Sequence, residues 1–356
     1  MKVNWYVVLG GILLLAFVYA TRAILLPFVS GLAVAYLLDP LADRLEAIRF
    51  PRWLAAVTIL AIFFLGLLGL FYAMMPLLKD QIGGLIESIP RYINAVRPVI
   101  DEWLSKAGES FGVEAGADTD SLVAAAATQG FARLGQLFTN FLSGGVALFN
   151  LLTLLLISPV VAFFLLRDWD KLVAKVDSWV PRERVDDVRL LARRIDYALA
   201  GFVRGQTVVA IIMATLYAIG WSLAGLHYAL ILGLLAGILA YVPFVGALFA
   251  MFLAMLLAFG QFGADSGALW QVFLVFAVVQ AIEGGILTPR IIGSRIDLHP
   301  VWVLFAIFAG GQLMGFVGIL VALPVAAAAG VFIRFALERY LKSSLHKGEE
   351  KAVTGQ

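Results

Sequence analysis

Apolar residues along this chain come in long blocks rather than in alternation. The blocks fall at about 4–25, 27–38, 53–75, 146–166, 206–224, 228–258, 268–288 and 301–333. Most approach or exceed the roughly 20 residues needed to cross a hydrocarbon core as a helix. They lack the period of two that marks a strand, and in lipid the backbone must satisfy its own hydrogen bonds, so the blocks predict helices. The second block is short for a crossing. The sixth and eighth are long and interrupted by Pro243 and Pro324. Kinked helices or re-entrant pairs are expected there, with their breaks lining protein rather than lipid.

Two stretches between blocks carry a different pattern. In 76–145, the residues Leu78, Ile82, Leu85, Ile89, Ile93, Val96, Ile100 and Trp103 recur at helical spacing with charges between them. This predicts an amphipathic helix bent at Pro90 and Pro98, followed by a second helix over about 120–142 capped by Asp120 or Ser121. In 167–204, Pro181 marks a helix start. Val185, Val188, Leu191, Ile195, Leu199 and Phe202 then form an apolar stripe opposite arginines, as expected of a helix on the membrane surface or packed under a bundle. The implied organisation is N-terminal transmembrane helices over 1–75, an extracytoplasmic helical insert over 76–145, a C-terminal membrane region over 146–340 with a cytoplasmic helix at 181–204, and a polar tail over 341–356.

Composition agrees with an all-α polytopic membrane protein. Of 356 residues, 62% are hydrophobic and 14% charged, with a mean hydropathy of +0.96. A soluble domain is about 45–50% apolar and about 25% charged. Lys and Arg cluster in 39–52, in 167–204 and after 333. With about eight crossings these lie on one side, which the positive-inside rule makes the cytoplasm, with both termini there too. Arg290 and Arg295 fall on the other side, a conflict that re-entrant segments would resolve.

The same counts narrow the chemistry. A net charge of +2 gives no reason to expect nucleic acid as a partner. The absence of cysteine excludes thiolate metal sites and disulfides, and three scattered histidines make no metal site. No cofactor is expected, and neither a nucleophile elbow, a Walker motif nor a dinucleotide fingerprint is present, so the chain does not read as an enzyme. Charged and polar residues in or beside apolar runs are costly and therefore functional candidates. Glu283 leads, one turn after Gln280 and six residues before Pro289. Asp39 ends the second block before Pro40. Gln312 lies inside the eighth block, and Arg290 beside the break. Gly233/Gly237 and Gly311/Gly315 have the spacing that lets helix backbones approach closely in lipid. Pro243, Gly246, Pro289, Gly293, Pro300 and Pro324 are the expected breaks or gate elements. An echo, GIL followed by proline at 237–243 and again at 318–324, suggests paired interrupted spans around a midplane site.

Several short motifs, in order and spacing, resemble the AI-2E family of bacterial membrane proteins over nearly the whole chain. They are Pro27-Phe28, Ala35-Tyr36-Leu37-Leu38-Asp39-Pro40, Phe202-Val203-Arg204-Gly205-Gln206, Gly225 to Leu230, Tyr241 to Gly246, and Glu283 to Pro289. Arg290, Gly293, Leu298-His299-Pro300, Gly310-Gly311, Gly315, Gly318 and Pro324 complete the set. Where the family pattern often has Asn before the first-loop proline, this chain has Asp39. The resemblance implies about eight transmembrane helices, an inner-membrane location, a homo-oligomer, and either export of a small polar signalling molecule or sodium/proton exchange. A scaffold acting through the 76–145 insert is a third reading. The sharpest local expectation is a gate formed by Glu283–Pro289 against Tyr241–Gly246.

Overall fold

The computed structural model describes residues 5–111, 145–263, 265–293 and 298–342. These are almost entirely helical, with no strand among the described residues. The helices are α1 (Trp5–Ala20), α2 (Leu25–Ala47), α3 (Arg52–Phe111), α4 (Gly145–Trp179), α5 (Val185–Leu223), α6 (Ala229–Leu239), α7 (Val245–Phe262), α8 (Ser266–Ile282) and α9 (Pro300–Lys342). Five described segments are long and apolar enough to cross a membrane: Leu25–Ala47, Arg52–Leu85, Arg182–Leu223, Gly267–Ile292 and Pro300–Lys342. The chain is an all-α polytopic membrane protein.

Several boundaries differ from the sequence expectation. The span at 53–75 and the amphipathic helix after it are one helix, α3, whose 60 residues run past Pro76 without a break. The second insert helix, expected over about 120–142, lies outside the described residues. The amphipathic helix expected at 181–204 does not end before the fifth span; both belong to α5, 39 residues long. Helix α2 does not stop at Asp39-Pro40 but continues to Ala47. Pro40 has no N–H to give, so the carbonyl of Tyr36 one turn earlier loses its helical donor. Arg204 Nε donates to that carbonyl at 2.7 Å.

Among the described residues, the chain divides into two compact units. One gathers 1–61, 156–205 and 292–356; the other gathers 62–155 and 206–291. In the first, α2 buries Pro27, Gly31, Ala35, Leu38 and Ala42, spaced three and four apart so that they form one face. Gly31 sits against α4, where an added Cβ would come within 2.7 Å of Val161 Cβ. Ser158 Oγ donates to the Pro27 carbonyl at 3.0 Å and is itself buried.

Helix α9 in this unit is a hairpin. Gly315 takes φ 62°, ψ −139°, a conformation that residues with a Cβ rarely adopt. The arms 300–314 and 316–342 fold back so closely that a Cβ on Gly310 would stand 2.5 Å from the Gly318 carbonyl oxygen. The break in the eighth apolar block is therefore at Gly315, and Pro324 lies within the second arm. Pro300 occupies the first position of α9, where its missing N–H costs nothing.

The second unit contains another hairpin. Helices α6 and α7 pack together across a non-helical turn at 240–244 that includes Pro243. At 11 residues, α6 is about 16 Å long at 1.5 Å per residue, about half a hydrocarbon core. It lies on α5 through Gly233 and Gly237, where added Cβ atoms would come within 2.5 Å of the Ala218 nitrogen and of Ala214 Cβ. The core between α5 and α8 is aromatic. Tyr217 stacks on Trp221 with ring centroids 4.5 Å apart, and Trp221 Nε1 donates to the Val272 carbonyl at 3.3 Å. The start of α8 is capped by Asp265, whose carboxylate accepts from the Gly267 N–H at 3.0 Å.

Candidate functional site

After α8 the chain keeps coiling. Glu283–Ile292 forms a π-helical stretch, so the expected break at Glu283–Pro289 is displaced to Gly293, which has φ +60°. The wider π turn is a physical answer to Pro289, whose ring would collide with the preceding turn of an α-helix. Glu283 therefore projects from a continuous helical segment. It is half-buried, and among the described residues its polar partner is Gln280. Tyr217 OH donates to Gln280 Oε1 at 3.0 Å. Because Tyr217 is fully enclosed between Trp221 and Phe276, the chain Tyr217–Gln280–Glu283 is anchored at its inner end by a rigid aromatic stack. Gly284 and Gly285, which follow Glu283, meet nothing within 4 Å of where a Cβ would stand. Among the described residues, no Lys or Arg forms an ion pair with Glu283. Arg290 is exposed and Arg295 lies outside the described residues.

Asp39 is built differently, and in the other unit. Arg52 Nη2 reaches it at 2.9 Å while Nη1 reaches Asp43 at 2.5 Å and Glu46 at 2.8 Å. The same guanidinium donates from Nε to the Leu166 carbonyl at 3.0 Å. Arg204 stands 3.7 Å from the second Asp39 oxygen. This network borders a cavity of about 260 Å³ whose wall includes Tyr36, Asp43, Trp169 and Asp196. Tyr36 OH donates to Asp196 at 3.1 Å, and its ring meets Trp169 edge-on at 6.0 Å. Asp39 is thus compensated by two guanidiniums, whereas Glu283 faces none among the described residues.

The remaining candidates fall as follows. Gln312 is exposed, three residues before the Gly315 hinge. Gly311 approaches Ile319 of the opposite arm, at 3.2 Å from an added Cβ; Gly315 is the hinge and not half of a packing pair, because its positive φ takes it out of the helix. Pro243 and Gly246 lie at and just after the α6–α7 turn. A Cβ on Gly246 would stand 2.0 Å from the Leu239 carbonyl oxygen, so the two arms touch through backbone. The internal echo does not place its prolines alike: Pro243 is in a turn, Pro324 in a helix. Both sides of the expected gate, Tyr241–Gly246 and Glu283–Pro289, belong to one unit. Tyr241 OH is hydrogen-bonded to Thr207 Oγ1 at 2.6 Å, and Glu283 to Gln280.

Tyr217 and Asp196 carry no signal in the sequence, and Tyr36 and Arg52 stand there only as part of a motif and of a basic loop, without a role at the site. For Arg204 there was a signal: Pro40 frees a carbonyl that a neighbouring helix must satisfy.

Continuous apolar helices, two folded-back hairpins, and an acid in an apolar helix with no ion-pair partner among the described residues are the parts of a membrane transport protein. The chain belongs to the AI-2E transport family, whose model, described as "AI-2E family transporter", matches residues 10–338. Among its relatives are two Bacillus subtilis (strain 168) proteins, "Putative transport protein YrrI" and "Putative transport protein YueF". YrrI is 28% identical over 88% of this chain and 86% of its own length. YueF is 24% identical over 89% and 85%. "Putative permease PerM" of Escherichia coli (strain K12) is 25% identical over 87% and 86%.

Proposed function

We propose that this chain exports a small polar solute across the bacterial inner membrane, driven by an ion gradient, with Glu283 as the group that couples the two. The observation that carries this reading is the Tyr217–Gln280–Glu283 chain. A carboxylate in an apolar helix without a cation is expensive while charged, so it takes up a proton or binds a cation. Its hydrogen-bonded neighbours hold it in place through either state. Gln280, Gln312 and the hairpin turns are the solute-facing candidates. The protein works as a homo-oligomer with both termini in the cytoplasm, the side favoured by the basic clusters.

Sodium/proton exchange is the alternative, with Glu283 and Asp39 as paired exchangers. The ion pairs from Arg52 and Arg204 to Asp39 speak against it, since an acid held by two guanidiniums has its charge already compensated. The scaffold reading rests on the insert at 76–145, and 112–144 of it lie outside the described residues.

Purified protein in sealed vesicles separates these readings. With an imposed proton gradient, wild type should move autoinducer-2 or a related polar solute, and Glu283→Gln should lose most of that flux while assembling normally. Wild-type flux in Glu283→Gln removes this residue from coupling. A sodium-evoked pH change that depends on Glu283, without solute movement, replaces export by exchange.

A further inference from the structure

The turn at 240–244 interrupts the backbone ladder inside an apolar segment, and the structure places one donor on it. Gln206 is one of the few buried polar side chains among the described residues, 5% exposed. Its Nε2 donates to the Ala240 carbonyl at 2.6 Å. That carbonyl ends α6, where no N–H follows in helical register. The next residue on α5 makes the next contact: Thr207 Oγ1 and Tyr241 OH are 2.6 Å apart. Two successive side chains of α5 thus hold two successive residues of the turn, one by backbone and one by phenol. The turn's other close contacts stay within the hairpin: the Gly246 N–H donates to the Val242 carbonyl at 2.9 Å, the Val242 N–H to the Leu239 carbonyl at 2.9 Å, and Gly246 lies against the Leu239 carbonyl; these join the two arms to each other and not to α5.

The geometry points to Gln206 and Thr207 as the positioning residues of a gate at the 240–244 turn. With both contacts made, the turn is closed on α5. With both broken, the α6–α7 turn swings while its arms stay joined at Gly246. The proposal rests on the transport reading for its purpose, since a gate implies something to pass. Its geometry is tested without any solute.

The natural chain has no cysteine, so one introduced thiol is the only one. Val242, 9% exposed, sits in the turn; Val272, fully buried on α8, lies in the same unit but not in the turn. Single-cysteine proteins Val242→Cys and Val272→Cys are reacted with a water-soluble maleimide in vesicles, alone and with Gln206→Met plus Thr207→Val. These two changes roughly keep the side-chain volumes but delete the amide donor and the hydroxyl. Release of the turn should speed labelling at 242 by about tenfold or more while labelling at 272 stays within about twofold, because only a local opening is involved. Thr207→Ser, which keeps a hydroxyl, should restore part of the protection at 242. Equal acceleration at both sites would mean general loosening and overturns the proposal, as does unchanged labelling at 242. If the labelling result holds and no solute is ever moved, the gate stands and the export reading falls.

Discussion

The two hairpins solve one problem by different means. Each must reverse a helix within apolar surroundings and leave no backbone group unsatisfied. The α6–α7 hairpin reverses over five residues, 240–244, and is held from outside by Gln206 and Thr207. The α9 hairpin reverses at a single glycine and is held from inside, by the contact of Gly310 with Gly318. Its external tie is Arg22, which donates to the Leu313 carbonyl at 2.9 Å from an exposed position and lies over the Tyr19 ring at 4.5 Å. The arms touch through backbone in both, at Gly246 and at Gly318. The α6–α7 turn has five residues beyond that seal, 240–244, tied to α5 by two hydrogen bonds that can be lost while the arms stay joined, whereas the one-residue hinge at Gly315 leaves no turn to release. The first is suited to move and the second to stay.

Breaking the seals should have the largest effect, and in both hairpins alike. Gly318→Val and Gly246→Val put a side chain where the facing carbonyl oxygen would be 1.9 Å and 2.0 Å from its Cβ. Overpacking of this kind costs about 1–3 kcal/mol and more where backbone must shift, so both variants should show a clear fall in melting temperature or fail to assemble. Next, Gly315→Ala should cost about 1–3 kcal/mol because its φ is unfavourable for any Cβ-bearing residue. Pro324→Ala, in a helix arm, should leave the melting temperature unchanged or raise it. Equal losses from these two would move the hinge away from Gly315. Third, Gln206→Ala strands the Ala240 carbonyl and should cost about 1–3 kcal/mol. The smallest effect belongs to Arg22→Ala, within about 0.5 kcal/mol as for exposed residues generally. A larger loss for Arg22→Ala than for Gln206→Ala would reverse the assignment of movable and fixed hairpins.

Much of this was readable from the chain. Long apolar blocks gave the all-α membrane fold, and the length of 228–258 and 301–333 signalled folded-back pairs. Glu283 was found because an acid in such a block is rare. Proline was the less dependable sign. Pro243 does mark a turn, but Pro40, Pro289 and Pro324 all sit within helical segments: a neighbouring donor takes the carbonyl freed at Pro40, and a wider turn accommodates Pro289. The hinge at Gly315 was hidden among many glycines, since no local pattern distinguishes a packing glycine from one with positive φ. Helix ends were missed where an amphipathic segment continues an apolar one, as in α3 and α5: the change of pattern marks a change of surroundings, not a break in winding. Asp39 looked like a helix stop because its two guanidinium partners come from elsewhere in the sequence.

The continuity of α5 gives it leverage. Val185 and Gln206 are 21 residues apart on one unbroken helix, about 31 Å at 1.5 Å per residue. Over such a length a tilt of about 5° carries one end of the rod through about 3 Å relative to the other, the length of one hydrogen bond. At the basic end Arg189 clasps Asp177 at 2.7 Å, so a tilt of a few degrees is enough to part that pair.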